Sequence, residues 1–308
     1  MLMRRTAIAI FATLLATVPA TAQDKTADKL QEKLKVIATF SILADLVQNV
    51  GGARIEAAML VGPNGDAHVY SPSPADAKKV ADAKVVVVNG LGYEGWISRL
   101  VKASGSKLPV VVASKGIKPR RMDGGHAHGH GHADSDPHAW QSVSNVKIYV
   151  ANIRDGLVAA DPAGKPAYEA NATAYLAKLD ALEREVRDAV AKIPAERRRI
   201  ITTHDAFGYF KQAYGVEFIA PQGVSTESAP SAKDVARIIG QIKRQKIPAV
   251  FLENITDPRL LKQIADESGA SIGGTLYSDA LTDDKGPAPT YIDLIRHNIK
   301  TLSAALLS

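Results

Sequence analysis

The chain predicts an α/β protein of two lobes, each a mostly parallel sheet flanked by helices, joined by one long helix. Three observations predict it. Short apolar runs alternate with helical patterns in both halves, which implies βαβ units and parallel strands. Some runs are apolar throughout, as from Val85 to Val88, which fits strands covered on both faces. Between the halves, roughly 164–193 holds Tyr168, Ala172, Tyr175, Leu176, Leu179, Leu182 and Val186 at helical spacing, with no Gly or Pro after Pro166. At ~1.5 Å per residue that helix is about 40 Å long, the length of a small domain.

The elements follow in order. Residues 35–41 read as a buried strand and 42–50 as a helix closed by Gly51 and Gly52. A second strand over 54–61 feeds a Gly/Pro/Asn-rich turn that delivers His68. A short helix at 74–81, a strand at 83–90, a helix at 93–103 and a strand at 108–114 complete the first sheet. Residues 116–137 lose all apolar period and are rich in Gly, Asp, His and Lys, so they predict a mobile loop. The second half repeats the pattern, with strands at 197–204, 216–221, 248–254 and 271–279. Its helices are predicted at 232–245, 258–268 and 289–307. The domain division is therefore 23–160 for the N-terminal lobe, 161–194 for the linking helix and 195–308 for the C-terminal lobe.

Residues 1–22 read as a secretory signal. Arg4 and Arg5 precede an apolar stretch from Ala7 to Val18, and Ala20-Thr21-Ala22 gives a small-x-small cleavage site. About a dozen apolar residues are too few to span a bilayer. The expected mature protein begins at Gln23, is soluble and resides in the periplasm. No cysteine follows the apolar stretch, so no lipid anchor is expected.

The sequence contains no cysteine at all, which excludes disulfides, thiolate metal sites and Cys nucleophiles. Of 308 residues, 46% are hydrophobic and 23% charged, ordinary globular values that argue against disorder. The net charge of +6 is mild, and no basic run exceeds Arg197-Arg198-Arg199, so a nucleic-acid role has no footprint.

The chemistry lies in the histidines. His68 (GPNGDAHVY), His138 (DPHAW), His204 (RRRIITTHDAF) and Asp279 (LYSDAL) stand far apart, all in turns and three of them after predicted strands. In open α/β sheets, ligands bind outside the carboxyl ends of the strands. Two of these residues come from each half, which places a site in the cleft between the lobes. Three imidazole nitrogens and one carboxylate oxygen fill a tetrahedral zinc shell. A second group, His126, His128, His130 and His132 in GGHAHGHGHAD, reads as a weaker metal-binding arm, because ordering a Gly-rich segment costs entropy. His297, inside the last predicted helix, reads as an ordinary histidine. Asp136 and Asp205 neighbour two of the histidines and are candidates to accept an imidazole N–H. Glu94 and Glu253, both after strands, read as charges at helix N-termini, with support of a metal ligand as the alternative, and Trp140 as packing beside the cleft. A zinc hydrolase is the rival from another class. It would need an open coordination position and a general base. No HExxH, GxSxG or GxGxxG motif accompanies the histidines.

The segments GPNGDAHVYSPSP, NGLGYEGW, DPHAWQS, THDAFGYF and LYSDAL, in that order, resemble the zinc/manganese family of ABC-transporter solute-binding proteins, the ZnuA-like group. The resemblance spans nearly the whole mature chain. Within the group it is most similar to the AztC-like periplasmic zinc binders with three histidines and one aspartate. It implies a rigid linking helix, a metal between the lobes, and His68, His138, His204 and Asp279 as its ligands. It implies delivery to the membrane permease of an ABC importer by a monomer that is not an enzyme. A periplasmic metallochaperone is a further candidate partner. Manganese binders of the family tend to carry a carboxylate at the third position. His204 stands there, and the His-rich loop also resembles zinc-specific members, so the expected cargo is Zn²⁺, with Mn²⁺ as the alternative. The absence of cysteine departs from members with a disulfide in the C-terminal lobe.

Overall fold

A computed structural model describes residues 32–121 and 135–308. The leader and the histidine run at 126–132 lie outside these residues. The first sheet comprises β1 (Leu34–Phe40), β2 (Ile55–Val61), β3 (Val85–Val88) and β4 (Val110–Val112). Its order is β2-β1-β3-β4, and every pairing is parallel. The second comprises β5 (Arg199–Ile201), β6 (Glu217–Ile219), β7 (Ala249–Glu253) and β8 (Ser271–Leu276). Its order is β6-β5-β7-β8, again all parallel. The two sheets are thus wound alike.

Helices in the first half are α1 (Ser41–Gly51), α2 (Pro74–Asp82), α3 (Ile97–Ala103) and α4 (Val143–Ala160). The long helix is α5 (Lys165–Lys192), 28 residues. The second half adds α6 (Gly208–Tyr214), α7 (Ala232–Gln245), α8 (Arg259–Ser268) and α9 (Tyr291–Leu307). Helix α5 buries Tyr168, Ala172, Tyr175, Leu179, Leu182, Val186 and Val190, a stripe three and four residues apart. That stripe meets α1 and α4 from the first half and α6 and α9 from the second. It joins both lobes to one large apolar core. A smaller core, with Ile201, Ile238, Ile242, Val250, Leu261 and Ile264, sits where α7 and α8 cover the second sheet.

Two helices were not expected, α4 and α6. In α4 the apolar positions Val146, Tyr149, Val150, Ile153 and Leu157 do follow a helical period, but β-branched residues and Gly156 dilute the signal. Gly156 is there for packing, since a Cβ would lie 2.3 Å from Val111 Cγ2. Helix α3 begins four residues later than predicted. Gly90, Leu91 and Gly92 all have positive φ, which turns the chain before the helix can start. The expected loop at 116–137 is ordered at both ends. Arg121 and Ser135 form an antiparallel bridge, and Asp136 N–H donates to Arg120 O at 2.9 Å.

Candidate metal centre

In each sheet the chain steps from the first strand to one side and then to the other, so a switch point opens at the carboxyl ends. Both switch points face one cleft. His68 arrives from the turn after β2, His204 just after β5 and Asp279 after β8. His138 comes from the segment between β4 and α4. Two of the histidines sit in matching Asp-x-His turns. Asp66 Oδ1 accepts the His68 N–H and Asp136 Oδ1 accepts the His138 N–H, both at 2.9 Å.

The structure brings these four residues together, each offering one atom, with all four atoms within 4.8 Å of one another. His68 Nε2 is 3.2 Å from His138 Nε2. Asp279 Oδ2 lies 3.3 Å from His68 Nε2 and 3.0 Å from His204 Nε2. Asp279 Oδ1 is 3.5 Å from His138 Nε2. His138, His204 and Asp279 are fully buried, and only an edge of His68 reaches solvent. Asp279 Oδ1 has no hydrogen-bond partner within the protein. Buried nitrogens converging on an unsatisfied carboxylate oxygen are a donor set suited to a divalent transition metal.

The lobes are tied across this point. Trp140 Nε1 and Gln141 Nε2 both donate to Ser278 O, at 2.9 and 2.7 Å, which fixes the backbone beside Asp279. Leu281 N–H donates to Ser41 Oγ at 2.9 Å. Thr226 Oγ1 donates to Asp66 Oδ2 at 2.5 Å, beside His68. Tyr93 stands edge-on to His68, with centroids 4.7 Å apart, and Trp140 to His138 at 5.2 Å. These rings wall the site and keep water out, as expected for Trp140.

Electrostatics follow from this burial. Desolvation lowers the His68 pKa, and the other two imidazoles add to the effect against a partial offset by Asp279. Desolvation acts on His138 in the same sense but is outweighed by Asp279 and Asp136, which hold it at about 9. At His204 burial is outweighed by Glu253 and Asp279, and the pKa rises well above the ordinary value. Burial would raise Asp279, yet His138 and His204 pull it well below the usual carboxylate range.

Of the neighbouring carboxylates, Asp136 takes the expected position, with Oδ1 2.9 Å from His138 Nδ1. Asp205 does not. The carboxylate at His204 Nδ1 belongs instead to Glu253, whose Oε2 is 2.5 Å away. Asp205 sits at the centre of a tight bend, where the Ala206 N–H donates to His204 O at 3.0 Å, and its carboxylate lies near Arg120 and Asp136, whereas Asp136 is two residues from His138. Nor is Glu253 a helix N-terminal charge, because it ends β7 and α8 starts only at Arg259. Its position on the strand next to β5 was the available signal. Glu94 likewise starts no helix. Its Oε1 accepts from Thr39 Oγ1 and from the Asn89 N–H, both at 2.6 Å, and shapes the turn before Tyr93. His297 lies outside the cluster, with Nε2 3.0 Å from Thr275 O.

The family model for the periplasmic zinc-uptake complex component A matches residues 36–305. The chain is 36% identical to the manganese-binding lipoprotein MntA of Halalkalibacterium halodurans over 285 residues, 92% of each chain. It is 36% identical to the iron-binding protein YfeA of Yersinia pestis over 296 residues, 96% of this chain and 93% of that one. Among solved structures, the periplasmic zinc-binding protein TroA of Treponema pallidum superposes with a TM-score of 0.82 at 32% identity, covering 89% of this chain and 99% of that one. The fold, the cleft and these relatives agree: the chain belongs to the ZnuA family of periplasmic metal-binding proteins, which serve ABC transporters as substrate-binding components and are not enzymes.

Proposed function

We propose that this protein captures Zn²⁺ in the periplasm with His68, His138, His204 and Asp279 and delivers it to the permease of an ABC importer. One observation carries the reading. Three imidazole nitrogens and a carboxylate meet within 4.8 Å in a pocket almost closed to solvent. Such a nitrogen-rich set with one carboxylate favours zinc, whereas carboxylate-rich sets favour manganese. A four-ligand shell of this kind leaves no position for a substrate water, in keeping with capture rather than catalysis.

Manganese is the second reading. Asp279 Oδ1, 3.5 Å from His138 Nε2, could serve as a further oxygen donor for a harder ion. MntA, a relative, is named a manganese binder. MntA is also named a lipoprotein. In our reading His126, His128, His130 and His132 add weaker zinc equivalents that feed the main site.

The test is a calorimetric zinc titration of metal-stripped protein, with manganese competition, with and without residues 124–132. The expected result is one tight, zinc-preferring site in both forms and weak extra binding only with the histidine run. A manganese preference would overturn the choice of metal. The absence of any tight site would overturn the ligand assignment.

A further inference from the structure

Asp136 and Glu253 each contact the far nitrogen of a cleft histidine, but their charges are balanced differently. Asp136 Oδ2 accepts from Arg120 Nη1 at 3.1 Å, so its charge is compensated. Among the described residues, no Lys or Arg pairs with Glu253 or Asp279, and both are buried. Two carboxylates therefore flank one imidazole. Asp279 Oδ2 is 3.0 Å from His204 Nε2, and Glu253 Oε2 is 2.5 Å from His204 Nδ1.

Glu253 is itself firmly placed. Its Oε1 accepts the N–H groups of Thr203 and His204 at 2.6 and 3.0 Å. One carboxylate thus holds both the backbone and the ring of His204. A carboxylate at Nδ1 keeps the proton on that nitrogen and leaves the Nε2 lone pair free for a metal. Glu253 Oε2 and His204 Nδ1 stand in close contact without hydrogen-bond geometry.

We propose that Glu253 is a positioning residue for metal capture: it fixes the tautomer and orientation of His204. The proposal rests on the reading of His204 as a ligand.

The experiment uses the full chain. Zinc affinity is measured by chelator competition for the wild type, Glu253→Gln and Glu253→Asp. Long-range ¹H–¹⁵N spectra report the ring nitrogens of the zinc-loaded forms. Wild type is expected to show a zinc-bound Nε2 and a protonated Nδ1 at His204. Glu253→Gln turns an amide N–H₂ or a neutral oxygen toward Nδ1 and is expected to weaken zinc binding on the order of 10–100-fold. Glu253→Asp keeps the charge and is expected to recover most of that loss. Unchanged affinity in Glu253→Gln, with His204 still zinc-bound, overturns the proposal and leaves the metal-capture reading standing. A Glu253→Gln variant that only lowers the metal-free melting temperature overturns it in the same way. A wild type without a tight site, or with His204 unbound, overturns the parent reading instead. If Glu253→Gln fails to fold, the wild-type spectrum decides alone, and an unprotonated His204 Nδ1 overturns the proposal.

Discussion

His138 and His204 have no contact with water, so their nitrogens can be satisfied only by what shares the pocket. Replacing either by Ala, or His68 by Ala, is expected to weaken zinc binding by at least about 100-fold, since loss of a contact one layer further out already costs 10–100-fold. Calorimetry on each variant checks this, and unchanged affinity would remove that residue from the shell. Asp136→Asn is expected to cost about 10–100-fold and Asp205→Asn almost nothing, because Asp136 touches an imidazole and Asp205 does not. Equal losses in the two would mean that the contact with His138 is not what matters. These sites differ in how far the chain itself displays them. Each of the four cleft residues announces itself by standing just beyond an apolar run or in a turn rich in Asp, Gly and Pro. Glu253 does not, because its partner His204 is 49 residues away and the two meet only when β5 and β7 pair.

Helices show the same divide. Helix α5 was legible because its buried stripe runs unbroken from Tyr168 to Val190. Helix α2 shows its start in Ser73, Pro74 and Asp76, which form a capping box. Helix α4 was not legible, because its one glycine answers to Val111 on a neighbouring strand rather than to its own backbone. Between helices, Asp45 of α1 accepts the Tyr291 N–H at the start of α9 at 2.9 Å. Burial raises its pKa from 3.8 to about 6, despite the lowering effect of hydrogen bonds from Tyr291 and Asn49. A folded-state pKa above the unfolded one means that the folded chain holds the proton more tightly. This group therefore adds stability as pH falls through about 6 toward 4 and withdraws it as pH rises. Asp45→Asn can still accept from Tyr291. It is expected to stabilise the metal-free protein near pH 8 and to flatten the pH dependence between about 4 and 7. Urea unfolding midpoints at the two ends of that range check it, and a variant with the wild-type pH slope would exclude Asp45 as the source.

At the scale of the molecule, a divalent metal that binds only the folded arrangement stabilises it by mass action. At a free concentration 1,000 times the dissociation constant, the gain is about 4 kcal/mol. Thermal unfolding should shift upward with zinc and, in the His204→Ala variant, hardly at all. An equal shift in both would place the stabilising metal elsewhere. The lobe architecture was readable from the alternation of strands and helices, but the ties that close the cleft were not. Trp140 to Ser278 and Ser41 to Leu281 join positions 138 and 240 residues apart.

Such distances carry a consequence for the life of the molecule. The two histidines of the first half are 70 residues apart, and His204 is 75 from Asp279. No fragment from either half contains more than two of the four. Either half separated from the other lacks two of the four residues and is expected to lose the tight site. Holding the ion therefore calls on both halves of the carrier at once, and loss of either half is expected to return the ion to the surroundings.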